Sequence, residues 1–379
     1  MKKTVLILLV LTILAVALTS GTVLAENYTK PSMSRQALLM NEDGEVLYQH
    51  NSTEKQPIAS MTKIMTLLCV YDAIDSGKIS LTDTVTCSAN ASGMGCSQVF
   101  LETGGQYTVD NLIKSVAVCS ANDSCVALAE HISGSVESFV EMMNNKASQL
   151  GLVATHFENP TGLPQLNHYS CALDVANMMR QLIRHPHYFT CARIWMEDFT
   201  HPDGRVTGMT NTNKLVRFYN GCDGGKTGYT SEAQHCLCAT AKRQDTRFIA
   251  VVVGAPDSKT RFAEVSAMLD YGFANYENRV FLDSNSQIGK VYVHGGEQLQ
   301  VEVNALEQLT HFTKKGQNNC DVVIEMSDSV KAPVMKGDVV GKAVLVHDGE
   351  RVKEVELVAS TDVKCRSFVQ YLTDILNID

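Results

Sequence analysis

The chain has 379 residues, 45% of them apolar and 19% charged, with a formal net charge of −9. That length suits one large domain plus a smaller one, and the composition supplies a sizeable core and excludes a disordered chain. The acidic balance, with no long run of Lys or Arg, excludes a nucleic-acid partner, because phosphate neutralisation needs a basic face.

The chain opens with Met1-Lys2-Lys3, an apolar stretch from Thr4 to about Leu18, and small residues at Val23-Leu24-Ala25. A positive start, an apolar middle and a small-residue end read as a secretory signal peptide over 1–25, with an apolar core shorter than the ~20 residues a membrane span needs. Gln36–Met40 and Glu45–Gln49 flank Asn41-Glu42-Asp43-Gly44 as a hairpin. After the polar stretch Asn51–Pro57, the apolar run Ile58–Ile74 repeats Met61, Ile64, Met65, Leu68 and Tyr71 at helical steps and predicts a buried helix. Val109–Val118 and Cys125–Ile132 read as helices separated by a polar corner, followed by helices at Phe139–Leu150 and Asp174–Ile183. His235–Thr240 and Phe248–Val253 read as adjacent strands, and Ser266–Tyr276 as a closing helix.

From about Gln287 the pattern changes to short alternating strands, such as Lys290–His294, Gln300–Val303, Asp321–Glu325, Lys342–Val346 and Val355–Val358. They predict a small all-β domain over 287–362, after a first domain over 30–278. Phe368, Tyr371, Leu372, Ile375 and Leu376 give the tail at 364–379 one apolar helical face. That face suits either a peripheral membrane anchor or a helix packed on the β domain. The twelve cysteines are spread from Cys69 to Cys365, many within apolar runs, and read as reduced, buried apolar residues. Cys236-x-Cys238 and His185-x-His187 lack a second pair at zinc-site spacing, so neither a metal nor a cofactor is expected.

Three triplets carry chemistry. In Ser60-Met61-Thr62-Lys63, helical spacing brings the Lys63 amine to the Ser60 hydroxyl, which needs a base to become a nucleophile. The amine must be neutral to act, which requires burial or a nearby cation. Ser52-Thr53-Glu54-Lys55 has the same spacing, but in a polar, Pro-ended loop that reads as solvated surface. Ser120-Ala121-Asn122 falls in the corner between two helices, where a hydroxyl relays protons and a carboxamide holds a peptide carbonyl; Ser88-Ala89-Asn90 reads as a cap or turn. Lys226-Thr227-Gly228 offers a cation and a hydroxyl to a carboxylate, with a glycine where substrate backbone lies close.

In this order, the triplets resemble the signatures of the penicillin-binding and serine β-lactamase superfamily. The flanks Pro57–Lys63, Asn159-Pro-Thr-Gly-Leu163, His168-Tyr-Ser170, Asn211-Thr-Asn-Lys214 and Asp223–Ser231 are similar to those of the low-molecular-mass D-alanyl-D-alanine carboxypeptidases. The resemblance implies an α+β fold, a transpeptidase-like domain followed by the small all-β domain. It implies removal of terminal D-alanine from peptidoglycan stem peptides ending in D-Ala-D-Ala, with β-lactams as covalent inhibitors, at the extracytoplasmic face of the membrane or in the wall. By the same resemblance Ser60 is the nucleophile and Lys63 its base. Ser120 and Asn122 form a relay and clamp, and Lys226 and Thr227 meet the substrate carboxylate. The N–H groups of Ser60 and Tyr229 form the oxyanion hole. Arg261 is either a carboxylate-binding arginine or a surface charge. Cys96, Cys222, Cys236 and Cys238 depart from the expected Gly, Val or aromatic residues. A β-lactamase would share the triplets, but no Glu-x-x-Leu-Asn segment is present and the β domain argues against it; intact Ser60, Lys63 and Lys226 argue against a non-catalytic wall-binding scaffold.

Overall fold

The computed structural model describes residues 28–370 apart from 31 and 318, so the signal peptide expected at 1–25 and the end of the expected tail helix, from 371 onward, lie outside the described residues. The turn at Asn41–Gly44 joins β1 (Gln36–Asn41) to β2 (Val46–His50) in an antiparallel hairpin. Gly44 takes a φ of 96°, and Asn41 Oδ1 accepts the Glu45 N–H at 2.9 Å.

The helix expected from Ile58 arrives in two pieces: a single 3-10 turn at Ala59–Thr62, then α1 (Lys63–Asp75). Ala59, with a φ of 47°, cannot join the α-helix. Ten of the thirteen α1 residues are buried, as a helix running through the core requires. A short ribbon, β3 (Thr84–Thr86) with β4 (Gln106–Thr108), leads into α2 (Val109–Val118), α3 (Asn122–Ser133), α4 (Val136–Gln149) and α5 (Ala172–Leu182). Thr108 and Ser135 accept N–H groups at the starts of α2 and α4, and left-handed Gly134 stops α3.

The hairpin β5 (Met196–Thr200) and β6 (Val206–Thr210) precedes three long strands, β7 (Cys222–Thr230), β8 (Gln234–Arg243) and β9 (Thr246–Ala255). The sheet order is β2-β1-β9-β8-β7, antiparallel throughout, with β7 at an edge. Leu38, Met40, Ile249, Val251 and Val253 join the core formed by the helical cluster. On the other face Phe248 meets Phe273 of α6 (Ser258–Asn275), ring centroids 4.9 Å apart. Cover on both faces explains the unbroken apolar run in β9. Helix α6 starts two turns before the expected Ser266. Asp257 accepts the Thr260 N–H at 2.7 Å and starts it, ahead of any apolar repeat.

Packing divides the chain at Ala274/Asn275. The second unit therefore begins a few residues before the expected boundary. Its strands are β10 (Tyr276–Leu282), β11 (Gln287–His294), β12 (Gln300–Ala305), β13 (Leu309–Lys314), β14 (Cys320–Met326), β15 (Ser329–Lys331), β16 (Val339–His347) and β17 (Glu350–Ala359). Strand β10 belongs here because it pairs with β13, whereas the others form a sheet in the order β14-β16-β17-β12-β11-β15. Its core is built from alternating residues such as Val291, Val293, Val301, Val303, Leu345 and Leu357.

Candidate active site

Ser60 stands in the 3-10 turn, and Lys63 is the first residue of α1. Lys63 is fully buried, with Nζ 3.0 Å from Ser60 Oγ, 2.7 Å from Asn122 Oδ1 and 2.6 Å from the Thr161 carbonyl oxygen. Burial lowers its pKa, and nearby Asp123 only partly opposes that. A neutral amine has two N–H donors and one lone pair. Asn122 and Thr161 take the donors, which leaves the lone pair for the Ser60 hydroxyl proton.

Thr161 is presented by a loop that Asn159 ties together. Asn159 Oδ1 accepts from the N–H groups of Thr161 and Gly162 and from the Thr161 hydroxyl, and Nδ2 donates to the Leu163 carbonyl. Gly162 takes a φ of 82° and packs so closely on the Ala59 carbonyl that a Cβ would collide with it. His168 braces the same turn: its Nε2 is 2.7 Å from Thr62 Oγ1, and its Nδ1 accepts the Glu158 N–H at 3.2 Å. Burial brings the His168 pKa down to about 4, so the ring is neutral and its proton sits on Nε2. A cavity of about 210 Å³ beside this turn is lined by Ala59, Gly162, Leu163, His168, Thr230 and Glu232.

Ser120 sits in the corner before α3 with a φ of 66°, its buried Oγ without a hydrogen-bond partner among the described residues. Asn122 bridges three segments: Oδ1 meets Lys63, Nδ2 donates to the Gly95 carbonyl and its N–H to the Ser97 carbonyl. Asp123 holds the following stretch by accepting the N–H groups of Val99 and Leu101. Cys96, between these anchors, is exposed at a φ of 65°, a backbone conformation that favours glycine.

Lys226, Thr227, Gly228 and Tyr229 lie within β7, next to the Cys236 strand β8. Gly228 lets β7 pass close to the nucleophile turn: a Cβ there would lie 2.7 Å from the Ile58 carbonyl and 3.2 Å from the Ser60 nitrogen. Lys226 is buried, its Nζ 3.1 Å from the Thr227 carbonyl, and burial is the main cause that pulls its pKa down to about 7. Thr227 is buried and Tyr229 is 59% exposed, its ring against His235. The start of β7 is fixed by Tyr188 and Asn213, which bond the Gly225 N–H and the Gly224 carbonyl, and by Asp223, which takes a two-pronged bond from Arg247 at 2.8 Å on each oxygen. Arg261 is not a free surface charge. It is half-buried in the first turn of α6 and donates through Nη1 to the carbonyls of Gly228 and Cys236 at 3.1 and 3.2 Å.

The two decoys separate cleanly. Ser88 caps a short helix by accepting the Ala91 N–H at 3.0 Å. Ser52 corrects the expectation of solvated surface: it is buried and its hydroxyl donates to Gln49 Oε1, while Lys55 is exposed against Tyr169. Cys222, Cys236 and Cys238 are buried, and neither Cys236 nor Cys238 joins a metal-ligand cluster among the described residues. Asn159, Thr161, His168, Asp123 and Asp223 carry weight that the sequence reading did not assign. All but Asp123 fall within three of the flanks that carry the resemblance, but the Thr161 contribution is a backbone carbonyl, which no side-chain pattern marks.

A family model described as D-alanyl-D-alanine carboxypeptidase matches residues 24–257, and one described as the penicillin-binding protein 5 C-terminal domain matches 276–365. The chain is 43% identical to the D-alanyl-D-alanine carboxypeptidase DacF of Bacillus subtilis, over 89% of this chain and 88% of that protein. It is 36% identical to the DacA carboxypeptidase of Haemophilus influenzae, over 92% and 91%. Among solved structures, penicillin-binding protein 5 of Haemophilus influenzae superposes with a TM-score of 0.67 at 35% identity, covering 88% of this chain and 98% of that one. The PBP3 peptidoglycan synthesis regulatory factor of Streptococcus pneumoniae gives 0.72 at 27% identity, covering 88% and 100%.

Proposed function

The chain belongs to the D-alanyl-D-alanine carboxypeptidase family, and from that premise we propose how its residues divide the work of this serine-type hydrolase. Neutral Lys63 takes the Ser60 hydroxyl proton as Oγ attacks the carbonyl carbon of the penultimate D-alanine. The N–H groups of Ser60 and Tyr229 receive the oxyanion. As the C–N bond breaks, the proton passes through the Ser120 hydroxyl to the leaving amine, and terminal D-alanine departs. Water then attacks the Ser60 ester and restores the hydroxyl. Lys226 and Thr227 hold the substrate's terminal carboxylate, and that negative charge raises the Lys226 pKa so that the bound amine is protonated. Asn122 orients Lys63 and the stem peptide, and Arg261 acts as a positioning residue on the β7 and β8 carbonyls. The observation that carries this reading is Lys63 Nζ at 3.0 Å from Ser60 Oγ with its other two contacts on acceptors.

The test compares Ser60→Ala with Ser52→Ala for D-alanine release and labelling by a fluorescent penicillin. The first loses both and the second keeps both. A dead Ser52 variant beside an active Ser60 variant would reverse the assignment.

The same reading extends to location. A cleavable leader ending near Ala25 supports export to the extracytoplasmic face, where peptidoglycan lies. Phe368 and Val369 are exposed apolar residues, and Ser367 and Gln370 flank them with reciprocal bonds; they favour a peripheral membrane contact, whereas Asp374 and Asp379 weaken it. Among the described residues no helix is long and apolar enough to cross a membrane. Deleting 364–379 should release the enzyme from membranes; equal release of the full-length form by low salt sinks the anchor.

A further inference from the structure

The C-terminal β unit holds a side-chain cluster that the chemistry above does not use. His311 lies on β13, Cys320 opens β14 and His347 ends β16, with Cys320 and His347 register partners across the ribbon. One ligand atom from each of the three lies within 4.8 Å of the others. His311 Nε2 and His347 Nδ1 are 3.2 Å apart. Neighbouring nitrogens on a tetrahedral zinc ion, each about 2.0–2.1 Å from the metal, are roughly 3.3 Å apart, so the two rings already stand at the spacing of adjacent ligands. The other His347 nitrogen, Nε2, faces Asp348 Oδ2 at 3.5 Å. A carboxylate there keeps the ring proton on Nε2 and leaves Nδ1 bare, as in carboxylate–histidine–metal arrangements. Asn319 Nδ2 in turn holds Asp348. A hydrogen bond between the imidazoles would account for the 3.2 Å contact, but not for a thiol brought beside both rings.

We propose that His311, Cys320 and His347 form a binding site for a zinc-class divalent cation, fastening β13 to the β14–β16 ribbon and leaving a fourth position for water. Two imidazoles and one thiolate are the donor set that such borderline-soft ions prefer. The three ligands are half-buried, so an ion has a path in. On binding, Cys320 loses its thiol proton to solvent and the sulfur lone pair forms the bond, with no redox step. A second cluster, Asp110, His187 and Cys191, has its ligand atoms equally close, but its acid is already paired with Lys114 at 3.4 Å and with His187 at 3.2 Å.

The probe is Co²⁺, titrated into full-length, chelator-treated protein with its thiols reduced. One equivalent should bind, with thiolate-to-cobalt absorption and the visible bands of a tetrahedral ion, and Zn²⁺ should displace it. Cys320→Ser should abolish the thiolate absorption, and His311→Asn and His347→Asn should each weaken Co²⁺ binding at least tenfold. His187→Asn should leave the titration unchanged. Wild-type protein that takes up no stoichiometric Co²⁺ overturns the proposal without recourse to any variant, and so does thiolate absorption that survives Cys320→Ser.

Discussion

At Lys63 burial sets the direction of the protonation equilibrium. Two acceptors and one hydroxyl satisfy either an ammonium or an amine, and burial lowers the pKa toward the amine, whose lone pair then faces the Ser60 hydroxyl. Acylation by penicillin should therefore slow as pH falls and Lys63 takes up that proton. Lys63→Arg, which keeps the charge but does not deprotonate, should show no labelling at any pH. Labelling at a near-normal rate in this variant removes Lys63 from the role of base. His168 gives a stability counterpart. Its pKa is about 4 in the fold against an ordinary 6.5, so the unfolded chain takes up the proton first. Stability should fall as pH drops from about 6.5 to about 4, by at most on the order of 3 kcal/mol. The stability gap between wild type and His168→Asn, read from denaturant melts, should narrow over that interval; a constant gap would refute the neutral-ring account. Ser60, Lys63 and Asn122 were legible in the sequence because side chains at fixed spacing carry their chemistry. The Thr161 carbonyl and the left-handed Ser120 were not, since both are properties of the backbone.

At the level of elements, the nucleophile owes its position to a turn that is not yet an α-helix, clamped between the Asn159 loop and the edge strand β7. Gly162 makes that clamp close. Gly162→Ala would force a Cβ against the Ala59 carbonyl and within 2.9 Å of Thr62 Oγ1. Gly204 is the natural control, with a similar φ of 86° and nothing within 4 Å of the added carbon. Both substitutions incur the left-handed strain of about 1–2 kcal/mol, but only Gly162→Ala should slow penicillin acylation, by at least about tenfold. Equal acylation rates in the two variants would show that the contact does not place Ser60. Apolar patterning located α1, β8 and β9 but not β7, whose Gly-, Lys- and Thr-rich sequence has no apolar repeat. It missed the break at Ala59 and the first two turns of α6, where Lys259, Thr260 and Arg261 give no apolar repeat and the start signal is the Asp257 carboxylate alone.

At the scale of the whole molecule, the change from helical to alternating patterns separates two stretches, and most of β10 falls in the boundary between them, because its partner β13 lies some thirty residues further along the chain. The cysteines were legible as core residues from their apolar neighbours. Eight are buried, and only Cys96 and Cys365 are exposed. Burial pushes the buried thiols above their ordinary pKa, as at Cys125 and Cys236, both at about 11, and so keeps them as unreactive thiols. A maleimide should modify Cys96 and Cys365 rapidly in the native enzyme, the partly covered Cys119 and Cys320 more slowly, and all twelve in denaturant. Rapid modification of Cys236 in the native state would contradict the packing. These thiols are silent only while the sheet stays shut. If a chain opens where oxidants are present, it offers many sulfurs at once for mispairing, and few of the resulting bridges would permit the sheet to close again. In such surroundings the working lifetime of the enzyme is set by how rarely it opens, and its ageing is a ratchet rather than an equilibrium.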